Sequence, residues 1–150
     1  MGRLLYWQDK LEKRLKKLHG THSKVIFKKL MRKSTTLKAS LKKRSRDADV
    51  FCNITVTDIR QMIVTVYGNK CRYCDTKILH KNMACDHISP LSEGGESTIH
   101  NLQFICKRCN TRKGPLTDKA YSKLLVWLKR QNKNTRNYIL RKLAKSDVFK

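Results

Sequence analysis

The sequence predicts an α+β protein: two short strands and a helix clamped by a metal, carried between two basic helical arms. Three observations predict it. Two C-x-x-C pairs, Cys71/Cys74 and Cys106/Cys109, bracket the middle of the chain. Between them, short apolar runs at 83–88 and 101–105 flank a loop marked by Pro90 and Gly94-Gly95, the pattern of a hairpin. Outside them, apolar residues recur at helical spacing among many Lys and Arg.

The elements follow in order. Residues 3–18 place Leu4, Leu11, Leu15 and Leu18 on one helical face, and His19-Gly20-Thr21 is a stop. Val25, Ile26, Leu30 and Met31 predict a second short helix. Ser34 or Thr35 is expected to cap a third, reaching Arg46 with Leu37 and Leu41 inward. An extended piece over 50–54 precedes a helix capped by Thr57-Asp58, with Ile59, Met62, Ile63 and Val66 inward and Gly68 at its end. The stretch GNKCRYC reads as a knuckle, and 78–79 and 83–88 as short strands. Residues 101–105 return, and Cys106 opens a helix that Gly114-Pro115 stops. Thr117-Asp118 caps a helix with Tyr121, Leu124, Leu125 and Leu128 on one face. A break near 132–134 precedes a last helix with Ile139, Leu140 and Leu143. The division expected is a basic arm over 1–50, a core over 51–115 and a second helical arm over 116–150.

Charge says what kind of partner to expect. The net charge is +24, whereas solubility alone asks for a magnitude of about 2–8. Residues 1–50 hold 16 Lys/Arg against 4 Asp/Glu, and residues 115–150 hold 10 against 2, while 51–114 hold only 9 against 5. Such arms favour a polyanion and disfavour an ordinary metabolic enzyme. No apolar run is long enough to span a bilayer, and charges arrive too early for a signal peptide. The expectation is an intracellular protein with no membrane role.

Hydrophobic residues make up 39% of the chain, so the core is modest and gains from a metal. In a reducing compartment, paired C-x-x-C units read as a zinc site. Zinc takes four ligands in a tetrahedron, and thiolates suit its softness. Cys71, Cys74, Cys106 and Cys109 would then clamp the base of a ββα unit. Cys52 and Cys85 lack such a partner and read as small buried hydrophobes.

Asp86-His87 is an unusual dipeptide for a short strand. Neighbouring strand residues point to opposite faces, so a local twist or bulge must bring both to one site. The stretches ACDHISPLSEGG and NLQFICKRCNTRKG, with both C-x-x-C pairs, resemble the HNH endonuclease motif in its four-cysteine, phage-like form. The resemblance covers about residues 68–115 and implies a ββα-metal core on a treble-clef zinc scaffold. It implies that His87 is the general base, Asp86 a metal-binding carboxylate, and Asn101 the residue that braces the loop. Asn110 stands where the last histidine of the motif often sits, giving a His-Asn-Asn variant. Asp86 and Asn110 would then form an oxygen-only site suited to Mg²⁺ or Mn²⁺.

Phosphodiester hydrolysis needs an activated water and charge stabilisation on the leaving oxygen, which an imidazole and one metal ion can supply. Lys107, Arg108, Arg112 and Lys113 are expected to contact phosphates beside the site. The reading is a metal-dependent DNA endonuclease acting on double-stranded DNA in a bacterial or phage-infected cell. The alternative is a non-catalytic basic zinc module that binds DNA or RNA, which has no use for Asp86, His87 and Asn110 together. His19, His22 and His80 read as surface residues, His100 as a neighbour of the site at most, and Trp7 and Trp127 as packing residues.

Overall fold

A computed structural model describes residues 2–145. The side chain of Leu4 and residues 146–150 lie outside the described residues. The order is α1 (Gly2–His19), a 3-10 turn (Gly20–His22), α2 (Ser23–Asp47), α3 (Val56–Val66), β1 (Met83–His87), a second 3-10 turn (Leu91–Glu93), β2 (Leu102–Cys106), α4 (Lys107–Lys113), α5 (Asp118–Lys129) and α6 (Lys133–Leu143). The fold is α+β, with one two-stranded antiparallel sheet. No helix among the described residues is long and apolar enough to cross a membrane.

The second and third helices expected from the sequence are one 25-residue helix, α2. Ser34 and Thr35 do not start a new helix. Their hydroxyls donate back to the Met31 carbonyl at 2.6 and 3.3 Å, a bond compatible with a continuing helix. Ser34 Oγ also accepts from Arg60 Nε at 3.1 Å and so ties α2 to α3. The cap of α3 is Thr55, two residues before the expected Thr57. Its hydroxyl accepts from the Asp58 amide while the Asp58 carboxylate accepts from the Thr55 amide, a reciprocal capping box.

The strand expected at 78–79 is absent. Gly68 N–H donates to the Ile78 carbonyl and Ile78 N–H to the Asn69 carbonyl, both at 2.8 Å. This segment therefore closes the knuckle and does not extend the sheet. Gly68 sits at φ +82°, where a side chain would be strained, and an added Cβ would lie 2.8 Å from Leu18 Cδ1. Leu18, expected inward, keeps 40% of its surface exposed.

The first two helices do not stand apart from the centre. Trp7, Leu11, Leu15, Leu30 and Leu41 belong to one buried cluster with Ile59, Ile63, Met83, Phe104 and Ile105. A thin central sheet thus gains its apolar cover from α1, α2 and α3. The last two helices pack less fully. Tyr121, Leu128 and Leu143 are buried, but Leu124, Leu125, Ile139 and Leu140 are only half-buried. Trp7 is buried as expected, whereas Trp127 is 48% exposed on the outer face of α5.

Candidate active site and metal centre

The knuckle and the start of α4 bring four sulfurs together. Cys71 N–H bonds the Thr76 carbonyl at 2.9 Å and Cys74 N–H the Cys71 carbonyl at 3.2 Å, folding residues 71–76 into a tight turn. Met83 pairs with Cys106, so the hairpin delivers the second cysteine pair to the same place. The four Sγ atoms lie within 4.8 Å of one another, and Cys74 and Cys106 are 3.7 Å apart. A tetrahedron with metal–sulfur bonds near 2.3 Å has edges of about 3.8 Å, so this cluster is positioned to bind a metal ion and its size suits zinc. Backbone amides of Cys106 and Cys109 donate to the sulfurs of Cys71 and Cys106, each at 3.5 Å. Such donors favour thiolates.

Across the sheet, Asp86 faces Gln103 and His87 faces Leu102. Both Asp86 and His87 are largely buried, at 8% and 6% exposure. Both also border one cleft of about 310 Å³, together with Asn110 of α4, Pro90 and Leu91 of the connecting loop, and Arg44 of α2. His87 ends β1, and the chain turns there, with Ile88 N–H donating to the Asn101 carbonyl at 2.9 Å.

Both oxygens of the Asp86 carboxylate have partners. Gln103 Nε2 donates to it at 2.9 Å, and the Lys113 ammonium lies 3.2 and 3.1 Å from its two oxygens. Burial raises the Asp86 carboxyl above the usual range, while Gln103 and Lys113 pull it the other way. Gln103 is held in turn, donating to Tyr73 Oη at 3.0 Å and accepting from Arg72 at 3.1 Å.

His87 Nε2 lies 2.8 Å from Ser97 Oγ, and Ser45 Oγ donates to Ser97 Oγ at 2.6 Å. Both serines are buried. Burial, and then the charges of Arg44 and Lys113, lower the imidazole pKa to about 4. At neutral pH the ring is therefore uncharged and keeps a lone pair on one nitrogen.

Asn101 closes the loop between the strands. Its amide oxygen accepts from Ser89 N–H at 2.8 Å, and its amide nitrogen donates to the carbonyls of Ser89 at 3.0 Å and Glu96 at 2.8 Å. Asn110 borders the cleft, where its amide oxygen and the Asp86 carboxylate offer the hard donors that Mg²⁺ or Mn²⁺ prefers.

The four basic residues of α4 do not form a common surface. Lys113 has no exposed surface, because its ammonium serves Asp86 and the His87 carbonyl at 2.8 Å. The expected phosphate contact at Lys113 is thus corrected to an internal ion pair. Arg108 is exposed but leans on the knuckle, 3.1 Å from Thr76 Oγ1. Arg112 is half-buried, with Nε buried and unpartnered. Lys107 is exposed. His19 and His80 are not free surface residues either, since they flank the Tyr67 hydroxyl at 3.0 and 3.1 Å. His100 is exposed.

Sequence reasoning missed Ser45, Ser97, Gln103 and Arg44. A signal exists for Ser45. Leu30, Ser34, Leu41 and Ser45 form the inward stripe of α2, and a hydroxyl on an apolar stripe must find a partner. Gln103 is legible once the register is known, because it stands opposite Asp86. Nothing in periodicity marks Ser97 or Arg44.

Comparison with known proteins bears on the same segment. Residues 71–126 match the family model described as HNH endonuclease. Over 46 residues the chain is 41% identical to the CRISPR-associated endonuclease Cas9 of Corynebacterium diphtheriae, a stretch that makes up 30% of this chain and 4% of that protein.

Proposed function

From the match of residues 71–126 to the HNH endonucleases, we propose that this chain is a metal-dependent endonuclease that hydrolyses phosphodiester bonds of double-stranded DNA. The observation that carries the reading is His87, hydrogen-bonded to Ser97, beside Asp86 in a cleft that also holds Asn110.

His87 is the general base. With Nε2 held by Ser97, its other ring nitrogen takes a proton from water. The water oxygen forms a bond to phosphorus, and the bond from phosphorus to the 3′ oxygen breaks. Asp86 and Asn110 would hold Mg²⁺ or Mn²⁺, which would supply positive charge for the phosphate and the leaving oxygen. Asn101 keeps the 89–96 loop closed over the strand ends and so fixes the cleft wall. Lys113 offsets the buried charge of Asp86 and anchors the backbone at His87.

Zinc at Cys71, Cys74, Cys106 and Cys109 is structural, joining the knuckle to the base of the hairpin. The basic helices of 1–50 and 116–150 hold the DNA backbone on either side of the 51–115 core, with Lys107 and Arg108 as nearer phosphate contacts.

A plasmid-nicking assay tests the reading. Supercoiled DNA should be nicked or linearised with Mg²⁺ or Mn²⁺ and left intact without added divalent ion. His87→Ala should bind DNA but not cut it. Binding with no cutting by the wild-type chain under any divalent ion would instead favour a basic zinc module.

A further inference from the structure

The cleft has a wall outside the segment that resembles the endonucleases. Arg44, on the last turns of α2, lines it with Asp86, His87 and Asn110. The next residue, Ser45, is 1% exposed and donates to Ser97 Oγ at 2.6 Å. Ser97 is fully buried and touches His87 Nε2 at 2.8 Å. Ser97 is also fixed through its backbone. Its N–H donates to the Phe51 carbonyl at 2.9 Å, and its carbonyl accepts from Asn53 N–H at 3.3 Å. The end of α2, the chain that follows it and the imidazole are thus joined by short bonds, and Arg44 is held in register with His87.

Charge indicates what Arg44 meets there. Asp86 is the one carboxylate that lines the cleft, and Lys113 already neutralises it. Arg44 itself makes no ion pair among the described residues. The cleft therefore carries one unmatched positive charge, on a planar fork of N–H donors suited to a phosphate. An exposed arginine facing a carboxylate would be an ordinary ion pair, and here the carboxylate already has Lys113 as its ion-pair partner.

We propose that Arg44 binds the phosphodiester being hydrolysed, with Ser45 holding it beside His87 through Ser97. The proposal rests on the reading of the cleft as a nuclease site. It makes α2 part of the chemistry as well as part of the grip.

The test separates chemistry from binding. Lys77, an exposed cation of the central segment that does not line the cleft, is the control. Arg44→Ala should lower the single-turnover cleavage rate at saturating protein on the order of 10²–10³-fold, the range for removing a transition-state donor. Arg44→Lys should recover part of it, because charge returns without the fork. Lys77→Ala should leave the saturated rate unchanged. Equal saturated rates for Arg44→Ala and Lys77→Ala would overturn the proposal.

A second measurement does not depend on cleavage. In buffer without divalent ions, a short DNA duplex should shift the Arg44 Nε–H nuclear magnetic resonance, identified by its loss in Arg44→Lys. An unmoved resonance in protein that binds the duplex would overturn the proposal. If the resonance moved but the wild type nicked no plasmid, the Arg44 contact would stand and the nuclease reading would fall.

Discussion

Lys113→Met is the most informative single change, because it removes one partner of a buried pair and keeps most of the side-chain length. Lys113 has no exposed surface, and Asp86 retains 8%. Without the ammonium, the carboxylate keeps only Gln103 as donor. Breaking a buried pair from one side costs about 3–5 kcal/mol, since a charge is left uncompensated. Loss of the bond to the His87 carbonyl accounts for about 1 kcal/mol of that. With a urea dependence of about 2 kcal/mol per M, the unfolding midpoint at pH 7 should fall by about 1.5–2.5 M.

The pH dependence has a definite sign. Burial already raises the Asp86 carboxyl, and removing Lys113 raises it further. A group whose folded pKa lies above its unfolded value, near 3.9, contributes stability below that value and loses it as pH rises through the folded pKa. The variant should therefore regain stability as pH is lowered from 7 toward 4, narrowing its gap from the wild type. Adding Asp86→Asn to Lys113→Met should recover much of the loss at pH 7, a coupling that a double-mutant cycle reads directly. A Lys113→Met midpoint within about 0.3 M of the wild type at pH 7 would refute the buried pair.

Three further outcomes are expected. His87→Ala should keep duplex affinity and lose about 10²–10⁴-fold in cleavage, measured by gel assay, and wild-type cutting by this variant would end its role as base. Cys106→Ser should bind less zinc by elemental analysis and melt at lower temperature by circular dichroism, and full zinc content with an unchanged Tm would remove the structural metal. Of the two tryptophans, Trp127 is 48% exposed and Trp7 only 4%, so acrylamide should quench about half of the emission readily and Trp127→Phe should abolish that fraction. Uniform quenching of both would contradict the placement of Trp7.

The centre of the chain was the most legible part. Spacing and turn residues placed the four cysteines, the hairpin, the loop, the cap at Thr117 and the break near 132–134, because turn residues and metal ligands are local signals. The helix of 23–47 was harder. Ser34 and Thr35 read as caps in sequence, yet a serine hydroxyl serves equally well by bonding back one turn, and only packing against Arg60 decides between them. Asp86 and His87 were legible as a pair but not in their partners. Lys113 looked like a surface cation because its burial depends on a strand 26 residues away. Ser97 and Arg44 reach the cleft through contacts between distant segments, which no short-range pattern encodes.

The cysteine cluster has a consequence for how such a unit can travel between proteins. The Cys71 and Cys109 sulfurs lie within 4.8 Å of each other, so the chain enters and leaves the 71–109 segment on one side of the unit. A segment with both ends on one side can be spliced into a surface loop of a host at small closure cost, without prising the host apart. Asp86, His87 and Asn101 all travel inside that segment, and Asn110 follows it directly. Arg44 and Ser45 do not. Each recipient of such a cassette would have to furnish its own wall for the cleft, and in this chain a long helix from the preceding sequence does so.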